Sequence, residues 1–155
     1  MNIKKITALL CAVVMVLSLA ACGSDSGDKA DGSKHYTIGI CQLVQHEALD
    51  AATKGFRDAI TDALGADNVT FDAQNAAGDS ATCATICNGF VSSGVDLILA
   101  NATGALQAAA AATKDIPILG TAVTEYGVAL GIGNFSGTVG GNISGTSDLA
   151  PLDQQ

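Results

Sequence analysis

The sequence predicts an α/β domain with a doubly wound parallel sheet, and three observations support this. Segments of strand character alternate with segments of helical periodicity from residue 36 to residue 123. The helical segments carry apolar residues on one face, as helices that pack on a sheet do. The run VDLILA is apolar apart from Asp96, which is typical of a strand buried on both faces. Alternating strands and helices form parallel sheets with right-handed crossovers.

The first strand is predicted in YTIGIC (36–41) and the second in NVTFDAQN (68–75). The helix between them spans residues 46–65, and Gly65 is suited to its carboxyl-terminal cap. Its apolar face is expected to consist of Leu49, Ala52, Phe56, Ile60, Ala63 and Leu64.

The second helix is predicted over residues 78–94, with Asp79 or Ser80 as N-cap and Gly94 as its end. Cys83 and Cys87 lie four residues apart in it, a spacing that could also serve a metal or a redox pair. They follow the apolar stripe of the helix, and no histidine or further cysteine lies nearby in sequence. We therefore expect both to be packing residues, since free cysteine behaves as a small buried apolar side chain.

The third strand is VDLILA (95–100), the third helix follows in 103–115, and the fourth strand is IPILGTAV (116–123). After Val123 the pattern loosens into glycine-rich sequence, with NISGTS (142–147) as a fifth strand. The pairs Gly131 and Gly133, and Gly140 and Gly141, do not open a helix directly after a strand, which a nucleotide fingerprint requires. They are interpreted as turns.

The amino terminus has the three parts of a secretory signal peptide. Lys4 and Lys5 form a basic head, and the apolar run that follows is shorter than the roughly 20 residues of a membrane span. Its end, Leu19-Ala20-Ala21-Cys22, resembles the lipobox of bacterial lipoproteins. This resemblance implies a signal peptide over residues 1–21 and a lipid attached to Cys22. The alternative is an ordinary signal peptide in which Cys22 is incidental.

Residues 22–35 are small, polar and acidic, and they predict a flexible tether between the anchor and the folded domain. The whole chain has 15 acidic and 7 basic residues, a balance that argues against nucleic acid as a partner. Neither a nucleophile elbow, nor a phosphate-binding loop, nor a cluster of metal ligands is present as a motif. We expect no catalytic residues, no metal and no cofactor.

Candidate ligand-binding residues follow the ends of three strands, where open parallel sheets bind ligands. In chain order they are Gln42, His46, Asn101, Ala102, Thr103, Gly104, Thr124 and Glu125. Most are neutral hydrogen-bonding groups, and the helix that begins near Thr103 would offer free N–H groups to a carboxylate. This combination favours a small polar or zwitterionic ligand. A role of His46 in acid–base catalysis, with Glu47 or Glu125, has no support beyond residue type.

Four segments carry a family resemblance: residues 36–60, 75–103, 114–125 and 140–148. They resemble the amino-terminal lobe of substrate-binding lipoproteins of bacterial ABC importers, in the subfamily that includes binders of tryptophan and other aromatic amino acids. The resemblance implies a type I periplasmic-binding-protein lobe with flavodoxin-like strand order. It further implies partnership with ABC permease and ATPase subunits, export, and anchoring at the outer face of the cell membrane.

Carried over by resemblance, the cleft loops of the family fall on Gln42 and His46, on Ala102 and Thr103, and on Thr124. The family usually has proline where this chain has Gly104, and Asp-Pro where it has Glu125 and Tyr126, which leaves the aromatic specificity open.

Such proteins clamp the ligand between two lobes. Residues 36–147 would form the first lobe and residues 148–155 the start of the crossover to a missing second lobe. Alternatives are a tethered α/β sensor or signalling domain, disfavoured by the lack of an acidic cluster after the first strand, and an extracytoplasmic enzyme, disfavoured by the missing catalytic groups.

Overall fold

A computed structural model describes residues 34–148 of the chain. The signal peptide, Cys22, most of the tether and the final residues of the predicted crossover lie outside the described residues. Lys34 and His35, at the end of the tether, contact the domain. The ring nitrogens of His35 lie 3.1 Å from the Asp67 carbonyl oxygen and 2.8 Å from the Thr70 hydroxyl.

The described residues form a five-stranded sheet with helices on both faces. The strands are β1 (Tyr36–Gln42), β2 (Val69–Asn75), β3 (Leu97–Asn101), β4 (Ile118–Val123) and β5 (Ile143–Ser147). The helices are α1 (Glu47–Leu64), α2 (Ser80–Ser93), α3 (Thr103–Ala112) and α4 (Tyr126–Leu130), and a 3-10 turn covers Ala66–Asn68. All neighbouring strands are parallel, in the order β2-β1-β3-β4-β5. The predicted fold class and strand order are confirmed.

Local sequence signals set the ends of the first two helices. Asp79 is the N-cap of α2, where its carboxylate accepts hydrogen bonds from the N–H groups of Ala81 and Thr82. Gly94 ends α2 in the left-handed conformation with φ 68°, and Gly65 ends α1 with φ 85°. Both glycines supply a positive φ that side chains with a Cβ rarely adopt.

One face of the sheet is covered by α2, α3 and α4. Its core contains Phe90 of α2, Ile98 of β3 and Leu106 of α3, all fully buried. Cys41, Cys83 and Cys87 belong to the same core as free thiols, which confirms that the last two are packing residues. The ring of Phe90 lies so close to Gly39 that a Cβ there would come within 2.7 Å of it.

Within residues 34–148, α1 is the helix that covers the other face. Its core consists of Ile38, Ile40, Val69 and Leu99, with Phe56 and Ile60 of α1 half-buried against it. No residue of α1 is fully buried, and Ala63, expected on the inner face, is exposed. The helix was therefore predicted correctly, but the face of α1 that packs against the sheet contains fewer residues than the sequence suggests.

The short helix α4 lies in the glycine-rich region and was not predicted. Glu125 is its N-cap, and Gly131, in the left-handed conformation, ends it. The interpretation of Gly131, Gly140 and Gly141 as turn residues is confirmed, since each has a positive φ. Five helical residues contain too little periodicity to be detected in a segment with this much glycine.

Candidate functional site

The three predicted loops lie at one edge of the sheet. They follow β1, β3 and β4, which are adjacent strands, so their carboxyl ends lie side by side. The strand order reverses direction between β1 and β3, and such a switch point is where open α/β sheets bind ligands. The fold therefore places the candidate site between the loop after Gln42 and the loop after Asn101.

A row of polar residues crosses the sheet at this edge. Register partners on four adjacent strands form it: Asn75, Gln42, Asn101 and Thr121. Two residues earlier on the same strands the row is entirely apolar: Ala73, Ile40, Leu99 and Leu119. Register partners in a parallel sheet point to the same face, so the α1 face changes from apolar to polar at the site.

Gln42 and Asn101 are buried, and their side chains bond to α1. Gln42 is 7% exposed, and its Nε2 donates to the Val44 carbonyl at 3.0 Å and to Asp50 Oδ1 at 2.6 Å. Asn101 is 0% exposed, and its Nδ2 donates to the Leu49 carbonyl at 2.8 Å. These two amides hold the loops in place from within the lobe.

Thr53 of α1 joins the two amides. Its hydroxyl donates to Gln42 Oε1 at 2.7 Å and accepts from Asn101 Nδ2 at 2.9 Å. Within residues 34–148, Asn101 Oδ1 is the buried side-chain atom that has no hydrogen-bond partner. Sequence reasoning missed Thr53, and its position as a polar residue within the apolar stripe of α1 is the signal that could have revealed it.

His46 lies exposed at the start of α1 and acts as its N-cap. Its Nδ1 accepts a hydrogen bond of 3.2 Å from the Ala48 N–H. That acceptor role requires an imidazole with its proton on Nε2. The Nε2 edge of the ring is the part of His46 left available to a ligand.

The amino terminus of α3 differs from those of the other helices. His46, Asp79 and Glu125 cap α1, α2 and α4, whereas within the described residues no side chain caps α3. Ala102 precedes α3 with φ 87° and ψ 162°, a conformation that is strained for any residue except glycine. Strain of this kind is concentrated at functional sites, and here it falls between the end of β3 and the start of α3.

Thr103 is exposed beside this helix terminus, and Gly104 packs against the first loop. A Cβ at Gly104 would come within 3.2 Å of Leu43 Cδ1. Val44, which follows Leu43 in the first loop, is 38% exposed. The first and second loops are therefore in contact and present apolar surface next to the start of α3.

Thr124 and Glu125 lie at the end of β4, and both are exposed. Glu125 caps α4, since its carboxylate accepts from the Gly127 N–H at 2.9 Å. A groove of about 520 Å³ begins at these two residues and is lined further by Tyr126, Phe135 and Val139. Burial, and then the charge of Asp148, raise the pKa of Tyr126, whose hydroxyl donates to the Thr146 carbonyl at 3.2 Å.

Residues 34–148 contain neither a candidate metal site nor a helix suited to crossing a membrane. No group of three or more histidine, cysteine or carboxylate side chains is arranged to hold a metal ion there. In that same part of the chain, no helix has the length and apolar character needed to cross a membrane.

The fold and the edge loops define a class of protein: an α/β lobe of the kind that binds ligands at the carboxyl ends of its strands. The chain belongs to the family of ABC transporter substrate-binding proteins, whose model matches residues 37–155. This is a family of extracytoplasmic binding proteins rather than enzymes, in agreement with the prediction from the sequence.

The chain is similar to several characterised proteins. It is 44% identical, over 97% of its length, to a tyrosine-binding protein of Clostridioides difficile. It is 45% identical to a Clostridium difficile substrate-binding protein with adhesive properties, whose ligand-free, open structure matches 77% of this chain with a TM-score of 0.70. A Streptococcus pneumonia ABC domain in complex with L-Trp is 36% identical and matches 79% of the chain with a TM-score of 0.71.

The chain spans less than half of each of these relatives. It covers 46% of the tyrosine-binding protein and 41% of each of the two solved structures.

Proposed function

We propose that the chain is the first lobe of a solute-binding component of an ABC importer, and that its ligand is an aromatic amino acid. Besides the family, one observation carries the ligand class: the uncapped amino terminus of α3 at the switch point of the sheet. Its N–H groups and the positive end of the helix dipole suit a carboxylate. The names of the tyrosine-binding and tryptophan-bound relatives support the same class.

The surroundings of this terminus fit the rest of such a ligand. Leu43 and the exposed Val44 provide apolar surface for a ring beside α3. His46, Thr103 and Thr124 are exposed polar residues on three neighbouring loops and can receive the amino group or a ring hydroxyl. Gln42 and Asn101 would support the site indirectly, because their side-chain hydrogen bonds hold the first two loops in position.

The ligand would be clamped between this lobe and a second one by hinge closure. Small-molecule sites commonly bury roughly 70–90% of the ligand surface, and the edge of a single sheet leaves most of a ligand exposed. We therefore expect residues 1–155 by themselves to bind the amino acid weakly.

A titration followed by nuclear magnetic resonance tests the proposed ligand. We expect L-tyrosine or L-tryptophan to shift the amide signals of residues 43–46, 102–105 and 124, with weak affinity. L-tyrosinamide, which lacks the carboxylate, should leave the signals of residues 103–105 unchanged. Shifts elsewhere on the lobe would contradict the proposed site. Equal affinity for L-tyrosinamide and L-tyrosine would contradict the role of α3. Tight binding would contradict the need for a second lobe.

We propose further that residues 1–21 are removed as a signal peptide, that Cys22 carries a lipid, and that residues 22–35 tether the lobe to the outer face of the cell membrane. The permease and ATPase subunits of the importer would be its partners. Mass spectrometry of the protein expressed in a bacterium should find an acylated Cys22 as the first residue. In a Cys22→Ser variant the protein should no longer fractionate with the membrane.

A further inference from the structure

The hydroxyl of Thr53 connects the ends of two strands that lie far apart in sequence. Gln42 is the last residue of β1 and Asn101 the last of β3, and the two are register partners. Thr53 donates to the first at 2.7 Å and accepts from the second at 2.9 Å. A single hydroxyl therefore bridges the side-chain amides at the ends of the two strands.

The remaining bonds of these amides extend the network into the site. Gln42 Nε2 bonds to the Val44 carbonyl in the first loop and to Asp50 in the first turn of α1. Asn101 Nδ2 also bonds to the Leu49 carbonyl. Backbone bonds complete the arrangement, since the Leu43 N–H donates to the Asn101 carbonyl at 3.1 Å. The first loop, the start of α1 and the second loop are thus one connected unit.

Ala102, which follows Asn101, has a strained backbone conformation that needs support from neighbouring hydrogen bonds. Ala102 holds φ 87°, and strained backbone persists only where its surroundings over-determine it. Asn101 anchors it on one side, and a hydrogen bond of 3.0 Å from the Ala102 N–H to the Thr121 carbonyl anchors it within the sheet. Both anchors lie directly before Thr103, the first residue of α3.

We propose that Thr53 is a positioning residue for ligand binding: through Gln42 and Asn101 it holds the loops after β1 and β3 in the geometry that receives the ligand. The inference rests on the proposed function, because it names what sets the geometry of the same site. Thr53 itself lies on α1 behind the amides and does not touch the ligand.

The test compares Thr53→Val, which keeps the shape but loses both hydrogen bonds, with Thr53→Ser, which keeps the hydroxyl. Thr61→Val is the matched control, since Thr61 lies on the same helix about two turns away from the strand ends. Two quantities are measured on the full chain: the affinity for L-tyrosine, and amide hydrogen exchange at Leu43, Ala102 and Leu106, whose N–H groups are hydrogen-bonded at the two loops.

We expect Thr53→Val to weaken binding by about tenfold, because the buried Gln42 Oε1 loses its donor and Asn101 Nδ2 loses one of its two acceptors. Exchange in both loops should become faster, while exchange in β4 and β5 stays as in the wild type. Thr53→Ser should restore both measurements, and Thr61→Val should leave both unchanged.

Unchanged loop exchange in Thr53→Val would overturn the positioning role, and so would an effect equally large in Thr61→Val. If the unaltered chain binds neither tyrosine nor tryptophan, the proposed function fails for this chain. Loop exchange would still decide whether Thr53 holds the two loops together. The two failures are therefore distinguishable.

Discussion

The two faces of the sheet are built differently. The face under α2, α3 and α4 has a closed core in which Phe90, Ile98 and Leu106 are fully buried. The face under α1 is partly open, with no fully buried residue in the helix and a groove of about 270 Å³ beside Phe56 and Leu119. The polar row at the site belongs to the second face. The closed core therefore lies on one side of the sheet, and the polar network of Gln42, Thr53 and Asn101 lies on the other.

This difference has a physical basis. Polar groups such as Gln42 and Asn101 need hydrogen-bond partners when buried, and α1 supplies them from its backbone and from Thr53. A tightly packed apolar layer could not do so. The two faces should accordingly respond differently to changes in packing, and the following variants compare those responses.

The largest expected effect comes from truncating one phenylalanine on each face. Phe90→Ala removes a ring that is 0% exposed and should lower the free energy of unfolding by about 3–5 kcal/mol. Phe56→Ala removes a half-buried ring and should lose about half as much, because less apolar area leaves the interior. Urea unfolding of both variants measures the difference. Equal losses would show that the two faces are packed alike.

Adding a methyl group at a glycine should give effects of opposite sign on the two faces. Gly39→Ala places a Cβ within 2.7 Å of the Phe90 ring, and overpacking of this kind destabilises by about 1–3 kcal/mol. Gly55→Ala, on exposed α1, meets nothing within 4 Å and should stabilise the lobe by about 0.5–1 kcal/mol through helix propensity. Thermal unfolding checks both. Destabilisation by Gly55→Ala would mean that α1 is closely covered there.

The smallest expected effect is a pH dependence of the closed face. A hydrogen bond to Cys87, and then burial, raise the pKa of Cys41 above its ordinary value of 9.0, and burial raises that of Cys83. The hydrogen bond from Cys41 lowers the pKa of Cys87, which opposes this trend. A group with a raised pKa retains its proton in the folded state, so its contribution is complete below the unfolded pKa and is lost as the pH rises.

The stability of the lobe should therefore decline above pH 9, and Cys41→Ala should reduce the decline. The urea midpoint measured between pH 7 and pH 10, roughly the range below tyrosine ionisation, is the appropriate readout. Identical pH dependence in the two proteins would show that the buried thiols do not contribute.

Much of the fold could be predicted because its signals are local. Asp79 and Gly94 mark the ends of α2, and the apolar run that contains β3 identifies a strand buried on both faces. The alternation of strands and helices determines the parallel sheet. Helix α4 was missed because five residues between glycines carry no readable period.

The sequence predicted where the candidate residues lie in the fold, but not how their side chains are arranged. The sequence placed the candidate residues after β1, β3 and β4, where the structure also places them. It could not show that Gln42 and Asn101 turn inward, nor that Glu125 and His46 act as helix caps. Which loop residues contact the ligand stays a prediction.

The sequence by itself determined the elements, their order and the edge of the sheet that carries the loops, because periodicity and capping act over a few residues. Only the tertiary structure decided that Gln42, Thr53 and Asn101 form one network. Asn101 lies 48 residues from Thr53 along the chain, yet the sheet register and the packing of α1 bring its Nδ2 to 2.9 Å from the Thr53 hydroxyl. Local sequence patterns carry no information about contacts of that range, since such contacts depend on how the strands pair and where the helix lies.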